Sequence, residues 1–195
     1  PDAMRRAAAS LVEQRESLER IREATSASRT IVFTGTGSSY DACYPAVNDL
    51  AARGVPALLV DAAEVLHFRR PILNAQTLAV VVSQSGESAE IVRLVNELAK
   101  QRTRPFVVAI TNGTNNDLSR RADIELDTWA GPESGPSSMT FAASMTTLSG
   151  LARLLAGDSV DTAVDRTRTA AEGAARSAER LLDDPEAFAT DLEAW

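Results

Sequence analysis

The chain changes character within Leu78-Ala79-Val80-Val81-Val82-Ser83-Gln84-Ser85-Gly86-Glu87-Ser88. The first part of this stretch is an unbroken aliphatic run, which is typical of a strand buried on both faces of a parallel sheet. The second part is a loop of small hydroxyl residues around one glycine, and the apolar spacing of residues 89–101 then predicts a helix. The stretch therefore predicts one strand, loop and helix unit of an α/β domain.

The same kind of unit recurs along the chain. Further strands are predicted at residues 30–34, 57–60, 106–110 and 124–127, and further helices at residues 40–53, 62–68 and 140–155. Strands that alternate with helices in this way imply a parallel sheet covered on both sides by right-handed crossovers. We therefore predict an α/β fold, a three-layer doubly wound sandwich around a five-stranded parallel sheet. Pro45 lies inside a predicted helix, where we expect a kink or a delayed start.

Helical segments flank this sheet domain. We assign residues 1–27 to an N-terminal helix, 28–156 to the sheet domain and 157–195 to a C-terminal helical linker. Apolar stripes at residues 3–24 and 160–182 exceed what one small core needs, so we expect them to cover a second domain or a symmetry mate in a homodimer. A short helix is predicted over residues 186–195, and we expect more sequence after Trp195.

Composition and charge exclude several classes of protein. The chain has one cysteine, Cys43, and one histidine, His67, so it can form neither an internal disulfide nor a zinc site of the usual Cys/His type. We expect no bound metal and a reducing, cytoplasmic location. No apolar run approaches the roughly 20 residues that cross a bilayer, so no membrane association is expected. The net charge of −7, without a basic block, disfavours nucleic acid as a partner.

Three predicted loops combine glycine with small hydroxyl residues and lead into helices. They are residues 35–39, 83–88 and 131–138. Loops that follow parallel strands meet at the carboxyl edge of the sheet, which is where such folds bind ligands. A single loop of this kind would be read as a set of turn formers and helix caps. Because three converge, we predict a phosphate site in which backbone N–H groups, hydroxyls and helix N-termini replace basic side chains.

A dinucleotide site is the main alternative from the residues alone. Gly35-Thr36-Gly37 follows a strand and opens a helix, and Asp61 ends the second strand, about where a ribose-binding acid belongs. Tyr40 stands where the third glycine of that motif would allow close packing of helix and strand. The dinucleotide reading also leaves the loop at residues 83–88 unexplained. We therefore expect no cofactor.

The loop after the third strand resembles the phosphate loop of the SIS (sugar isomerase) domain family, especially in the isomerase part of glucosamine-6-phosphate synthase. In matching order, Gly37-Ser38-Ser39-Tyr40 is similar to that family's Gly-Thr-Ser-Tyr segment. Gly131-Pro132-Glu133-Ser134-Gly135-Pro136-Ser137-Ser138 is similar to its Gly-Thr-Glu-Ile-Gly-Val-Ala-Ser segment. The resemblance covers about residues 28–156 and implies a flavodoxin-like SIS fold.

The resemblance also implies which residues bind the ligand. Phosphate contacts are expected from Ser39, Ser83, Gln84, Ser85 and Ser88, and sugar contacts from Ser38, Ser138 and the backbone near Pro136. The chain departs from the synthase at Pro136, which replaces valine, and at Met139 and Thr140, which replace threonine and lysine. The sugar end of the pocket is therefore expected to differ from that of the synthase.

The function implied by the resemblance is binding of a hexose or hexosamine 6-phosphate by the first SIS half of an aldose–ketose isomerase or an aminosugar-phosphate deaminase. In two-half relatives the catalytic groups come mainly from the second half and a neighbouring subunit. The competing class is a non-catalytic sensor, as in SIS domains attached to transcription regulators. No DNA-binding helix-turn-helix segment or basic face favours that class here.

The nearby candidates for acid–base chemistry are Glu133, Glu64, Glu87 and His67, and none of them matches the catalytic positions of the family that the chain resembles. Glu133 lies inside a predicted ligand loop and is the one tentative catalytic residue; it could orient a sugar hydroxyl, act as a base or accept backbone N–H bonds. His67 could act as a base near neutral pH or be a partly exposed structural residue. Cys43 lacks an accompanying His and Asp pattern and is read as a small residue packed against the sheet.

Overall fold

The computed structural model describes residues 1–133 and 137–184. The α-helices are α1 (Asp2–Glu13), α2 (Arg15–Ala27), α3 (Ser38–Ala52), α4 (Ala62–Glu64), α5 (Ala89–Ala99), α6 (Met139–Leu155) and α7 (Val160–Asp183). The strands are β1 (Thr30–Thr34), β2 (Ala57–Leu59), β3 (Thr77–Val82), β4 (Phe106–Thr111) and β5 (Ile124–Asp127). Pro136 and the helix predicted at residues 186–195 lie outside the described residues.

The strands form one parallel sheet with the order β2-β1-β3-β4-β5. Central β3 is buried along its whole length, as its continuous aliphatic run requires, whereas edge strand β5 alternates buried and half-buried residues. The chain runs outward from β1 to β2 and then crosses back to β3, so the order reverses between β1 and β3. This is the flavodoxin-like topology, and it confirms the predicted doubly wound α/β fold.

Two apolar layers cover the sheet. Ile31 and Phe33 of β1 point into a core shared with α3, α6 and the terminal helices, whereas Val32 points into a core shared with α4 and α5. The alternation follows from the strand geometry, which sends successive side chains to opposite faces. The three-layer arrangement is therefore present as predicted.

The N-terminal segment forms two helices, not the single helix that its spacing predicts. The break is at Gln14, whose side-chain amide accepts a bond from the N–H of Asp127 at 2.9 Å and donates to the Asp127 carbonyl at 3.0 Å. Gln14 thus pairs with the end of edge strand β5 and satisfies backbone groups there. This bond across the fold is not visible in the local sequence.

The terminal helices pack onto the sheet domain of their own chain. Leu11, Leu18 and Ile21 of α1 and α2, and Val160 and Val164 of α7, belong to the larger core. Arg5 of α1 is also paired with Glu172 and Glu179 of α7. Much of each predicted apolar stripe is therefore buried within the chain, and the homodimer stays a prediction.

Two local features differ from simple helix expectations. The segment predicted as a helix after β2 is α4 followed by a π-helical turn at Val65–Arg69 and a 3-10 turn at Arg70–Ile72. Pro45 lies within the continuous helix α3. Proline has no N–H, so the carbonyl of Asp41, four residues earlier, loses its helical hydrogen bond. Both residues are exposed. Water can satisfy that carbonyl. Within residues 1–133 and 137–184, no helix combines the length and apolarity needed to span a bilayer.

Candidate anion-binding site

The loops after β1 and β3 lie side by side where the strand order reverses. A Cβ atom placed on Gly35 would come within 3.0 Å of the Val82 carbonyl oxygen, which immediately precedes the β3 loop, and equally close to the backbone of Ser39 and Tyr40. Gly35 therefore lets the turn into α3 press against the end of β3. Reversal points of this kind form a crevice at the carboxyl edge of the sheet, where ligands bind.

The Ser83–Ser88 loop is folded around its own hydroxyls. Ser83 is buried, and its Oγ accepts the Gly86 N–H at 3.2 Å and lies 3.3 Å from Ser88 Oγ. The Oγ of exposed Ser85 accepts the Glu87 N–H at 3.1 Å. Ser88 is the residue before α5, so the loop ends at the positive end of that helix dipole.

These bonds leave two hydroxyl hydrogens of the loop available: that of Ser85, and one of the two in the mutual Ser83–Ser88 bond. A serine hydroxyl that accepts a backbone N–H still has its own hydrogen to donate. Within the described chain, the Ser85 hydroxyl has no acceptor for that hydrogen. Polarisation along such a chain, from N–H to hydroxyl to ligand, strengthens the outer bond. The loop therefore suits an acceptor-only ligand such as a phosphate oxygen.

The loop after β4, residues 112–118, is hydrogen-bonded to the loop after β3, residues 83–88. Asn112 N–H donates to the Gln84 carbonyl at 2.9 Å, and Leu118 N–H donates to the Gly86 carbonyl at 3.0 Å. Gly86 has φ of +65°, and a Cβ at this position would lie 1.9 Å from Oδ1 of the buried Asn116. The carbonyls of Gln84 and Gly86 are therefore satisfied by the β4 loop.

Ser38 and Ser39 are the first residues of α3. The Ser39 N–H donates to the Thr36 carbonyl at 3.2 Å, while neither serine hydroxyl is hydrogen-bonded to another residue of the described chain. Ser38 is exposed and Ser39 half-buried. Both predicted site residues thus stand at a helix N-terminus next to the β3 loop, with hydroxyls available to a ligand.

The third of the predicted loops, between β5 and α6, contains a carboxylate that occupies the start of α6. Glu133 Oε1 accepts N–H bonds from Ser138 at 2.8 Å and Met139 at 2.7 Å and a bond from the Ser138 hydroxyl at 3.0 Å. Glu133 Oε2 accepts from both the N–H and the hydroxyl of Thr140. The carboxylate therefore caps α6, as an external anion would.

This environment sets the protonation of Glu133. The Thr140 hydroxyl and the backbone N–H of Ser138 lower the pKa of the carboxyl from 4.5 to about 2. A carboxylate with so low a pKa is a weak base at neutral pH. Of the three roles that the sequence leaves open for Glu133, the structure displays the acceptance of backbone N–H bonds. It also shows the Ser138 hydroxyl committed to Glu133.

The remaining candidates lie apart from these loops or are already engaged. His67 is exposed on the π-helical turn and lines a cavity of about 410 Å³ with Arg70, Arg93 and other residues beside α5. Burial raises the pKa of the Cys43 thiol to about 12, which fits a packing role. Asp61 caps α4 by accepting the Ala63 N–H at 2.8 Å, so its carboxylate already has a structural partner.

Sequence reasoning missed the role of the β4 loop, which includes Asn112 and Asn116. It also missed Asp127 at the end of β5, whose carboxylate accepts the Gly113 N–H of that loop. The dipeptide Asn112-Gly113 is a turn signal, but nothing in it indicates contacts with the β3 loop. For residues 1–133 and 137–184, no group of three His, Cys, Asp or Glu side chains is placed to hold a metal ion.

Comparison with known sequences identifies relatives of the chain. A sequence model of the SIS domain matches residues 25–155. The isomerizing glutamine–fructose-6-phosphate aminotransferase of Pyrobaculum aerophilum is 30% identical over 149 residues, which are 76% of this chain and 24% of that protein. A protein of the same name from Caldanaerobacter subterraneus is 45% identical over 74 residues, or 38% of this chain and 12% of that protein. The chain thus corresponds to only a small part of these curated relatives.

Solved structures share the fold. The C-terminal domain of glucosamine-fructose-6-phosphate aminotransferase from Francisella tularensis superposes with a TM-score of 0.66 at 23% identity, over 84% of this chain and 51% of that one. The Vibrio vulnificus NanR protein, solved in complex with ManNAc-6P, gives a TM-score of 0.58 at 22% identity, over 91% of this chain and 67% of that one. Since the SIS model spans the chain from the end of α2 to the end of α6, this chain belongs to the SIS domain family.

Proposed function

We propose that this chain binds a hexose or hexosamine 6-phosphate through the Ser83–Ser88 loop, as the first SIS half of a phosphosugar isomerase or an aminosugar-phosphate deaminase. The observation that carries the proposal is the Ser83–Ser88 loop itself, in which the Ser85 hydroxyl accepts an N–H and keeps its own hydrogen to donate, next to the N-terminus of α5. Family membership and the phosphosugars named in the relatives support the same ligand class.

The phosphate is assigned to Ser83, Gln84, Ser85 and Ser88, with Ser39 contributing from the neighbouring helix N-terminus. None of these residues is basic, so the site relies on short-range bonds and helix dipoles. That arrangement suits a protein of net charge −7, which exerts no long-range attraction on an anion. Ser38 is placed toward the sugar in this proposal, and so is Ser138, whose oxygen can accept a sugar hydroxyl while its hydrogen is donated to Glu133.

The reaction is proposed to need groups beyond those described in this chain. Moving a proton between neighbouring carbons requires a positioned base. Glu133 is bound up in capping α6, and His67 lies beside α5, away from the β3 loop. We therefore assign Glu133 a positioning role and place the catalytic base on a second SIS half or a second copy of the chain. We also propose a homodimer, which sedimentation of the purified chain would test. The compartment that we propose is the cytoplasm.

The proposal predicts that glucosamine 6-phosphate binds and glucosamine does not. Substituting Ser85→Ala should weaken phosphosugar binding by roughly 1.5–3 kcal/mol, the value for a hydrogen bond to a charged group. Isothermal titration calorimetry would measure both effects. Ser26→Ala, at an exposed serine near the end of α2, is the matched control and should leave affinity unchanged. Equal affinity for glucosamine and its 6-phosphate would refute the phosphate assignment.

A further inference from the structure

Asn112 is the residue after β4, and it contacts loops on both sides. Its N–H donates to the Gln84 carbonyl of the β3 loop at 2.9 Å. Its side-chain Nδ2 donates to the Gly131 carbonyl of the β5–α6 loop at 2.8 Å, and its Oδ1 accepts from the Thr128 hydroxyl at 3.4 Å. One half-buried residue thus bonds to the proposed phosphate loop through its backbone and to the third loop through its side chain.

The third loop borders the same crevice. Helices α3 and α6 pack together against the same face of the sheet, and both begin at its carboxyl edge. The start of α6 therefore lies beside the start of α3, which itself adjoins the β3 loop. A ligand whose phosphate sits in the β3 loop would extend toward the loop that Asn112 holds.

The backbone segment that Asn112 contacts includes a strained residue. Trp129, between Thr128 and Gly131, has φ of 50°, a left-handed conformation that costs a bulky residue free energy. Asp127 Oδ1 accepts the N–H groups of Trp129 at 3.1 Å and Gly113 at 2.9 Å, so it forms a second tie between the β4 loop and this segment. Conformations of this kind persist only where the surroundings enforce them.

We propose that Asn112 is a positioning residue that fixes the spacing between the Ser83–Ser88 loop and the Thr128–Gly131 segment, and so determines which sugar phosphates fit. This role rests on the proposed function. The two bonds of Asn112 can be separated, because a substitution removes the side-chain bonds to the third loop but keeps the backbone bond to Gln84. The bonds of Asp127 to Trp129 and Gly113 remain, so the Thr128–Gly131 segment should loosen without unfolding.

The test compares two probes, inorganic phosphate and glucosamine 6-phosphate. In Asn112→Ala, the dissociation constant of inorganic phosphate should change by less than about twofold, while that of glucosamine 6-phosphate rises about tenfold as the Thr128–Gly131 segment loses its preset position. Asn112→Asp, which puts an acceptor against the Gly131 carbonyl, should show the same split. Asn115→Gly is the matched control, because Asn115 lies in the same loop with φ of 64°, which glycine tolerates.

Amide NMR spectra provide a second readout. In Asn112→Ala the Gly131 amide should shift, while the Gly86 amide keeps its position. Equal losses for both probes, or no loss for glucosamine 6-phosphate, would refute the positioning role alone. Failure of the unsubstituted chain to bind glucosamine 6-phosphate would instead refute the proposed function.

Discussion

Gly86 shows how one residue without a side chain shapes the phosphate loop. Its positive φ and the buried Asn116 beside it both require glycine. The backbone turn at Gly86 directs one carbonyl toward Leu118 and one N–H toward Ser83 Oγ. The hydrogen-bonding pattern of the loop therefore depends on a residue that has no side chain.

Gly86→Ala should destabilise the chain by about 2 kcal/mol or more, because a strained φ and a steric clash add together. Urea unfolding monitored by circular dichroism would measure the loss. Gly54→Ala is the matched control: Gly54 also has positive φ, of +77°, but a Cβ there would meet nothing within 4 Å. It should lose only about 1 kcal/mol. Equal losses for the two variants would show that the contact with Asn116 is unimportant.

Glu133 illustrates a residue whose surroundings change its role. Its lowered pKa means that the carboxylate stabilises the folded chain above the unfolded value of 4.5, and that this contribution is lost as the pH falls toward about 2. Glu133→Gln should therefore lower the melting temperature at neutral pH, and the difference from the unsubstituted chain should shrink over that acidic range. Thermal unfolding from pH 7 to pH 2 checks this. A difference independent of pH would contradict the capping account.

At the scale of elements, α6 is the helix against which the terminal helices pack. Gly150 lies where α6 meets both α1 and α7: a Cβ there would come within 2.7 Å of Leu11 Cδ1 and 3.1 Å of Thr167 Oγ1. The close approach of the three helices thus depends on a missing side chain. This crossing adds to the bonds that Gln14 makes to the end of β5, so the terminal helices are attached to the sheet domain at more than one place.

Gly150→Leu should destabilise the chain by about 2 kcal/mol or more, because the added side chain forces α1 and α7 away from α6. Gly173→Ala offers a contrast within α7, since a Cβ there meets nothing within 4 Å. That substitution should stabilise by about 0.5–1 kcal/mol through helix propensity. Chemical denaturation of both variants provides the measurement. A neutral Gly150→Leu would mean that the terminal helices do not pack closely in solution.

At the scale of the whole molecule, binding and catalysis should be separable. We predict that the purified chain binds glucosamine 6-phosphate or fructose 6-phosphate but promotes little proton exchange, because Glu133 is a weak base at neutral pH and His67 lies beside α5. Incubation in deuterated water, followed by NMR at the carbon next to the carbonyl, measures the exchange. Rapid exchange that Glu133→Gln abolishes would show that this half has its own base.

Much of the fold and part of the site could be read from the sequence. The aliphatic run of β3 predicts a strand buried on both faces, because such a run cannot leave either face in water. The serine and glycine residues that follow predict a donor-rich turn, because glycine tolerates the positive φ of a tight turn and serine hydroxyls bond to nearby backbone groups. The strands, the covering layers and the phosphate loop follow from patterns that are local in the chain, whereas the flavodoxin-like strand order was implied only by the family resemblance.

The tertiary structure alone decided how distant residues share hydrogen bonds. Gln14 breaks the N-terminal helix by pairing with Asp127, which is 113 positions away, and Asn112 reaches Gly131 across 19 positions. Glu133 becomes a cap only because its loop returns to the start of α6. Such bonds depend on where the folded backbone leaves an unsatisfied N–H or carbonyl, and a side chain's identity shows its capacity to bond but not the partner that folding brings to it.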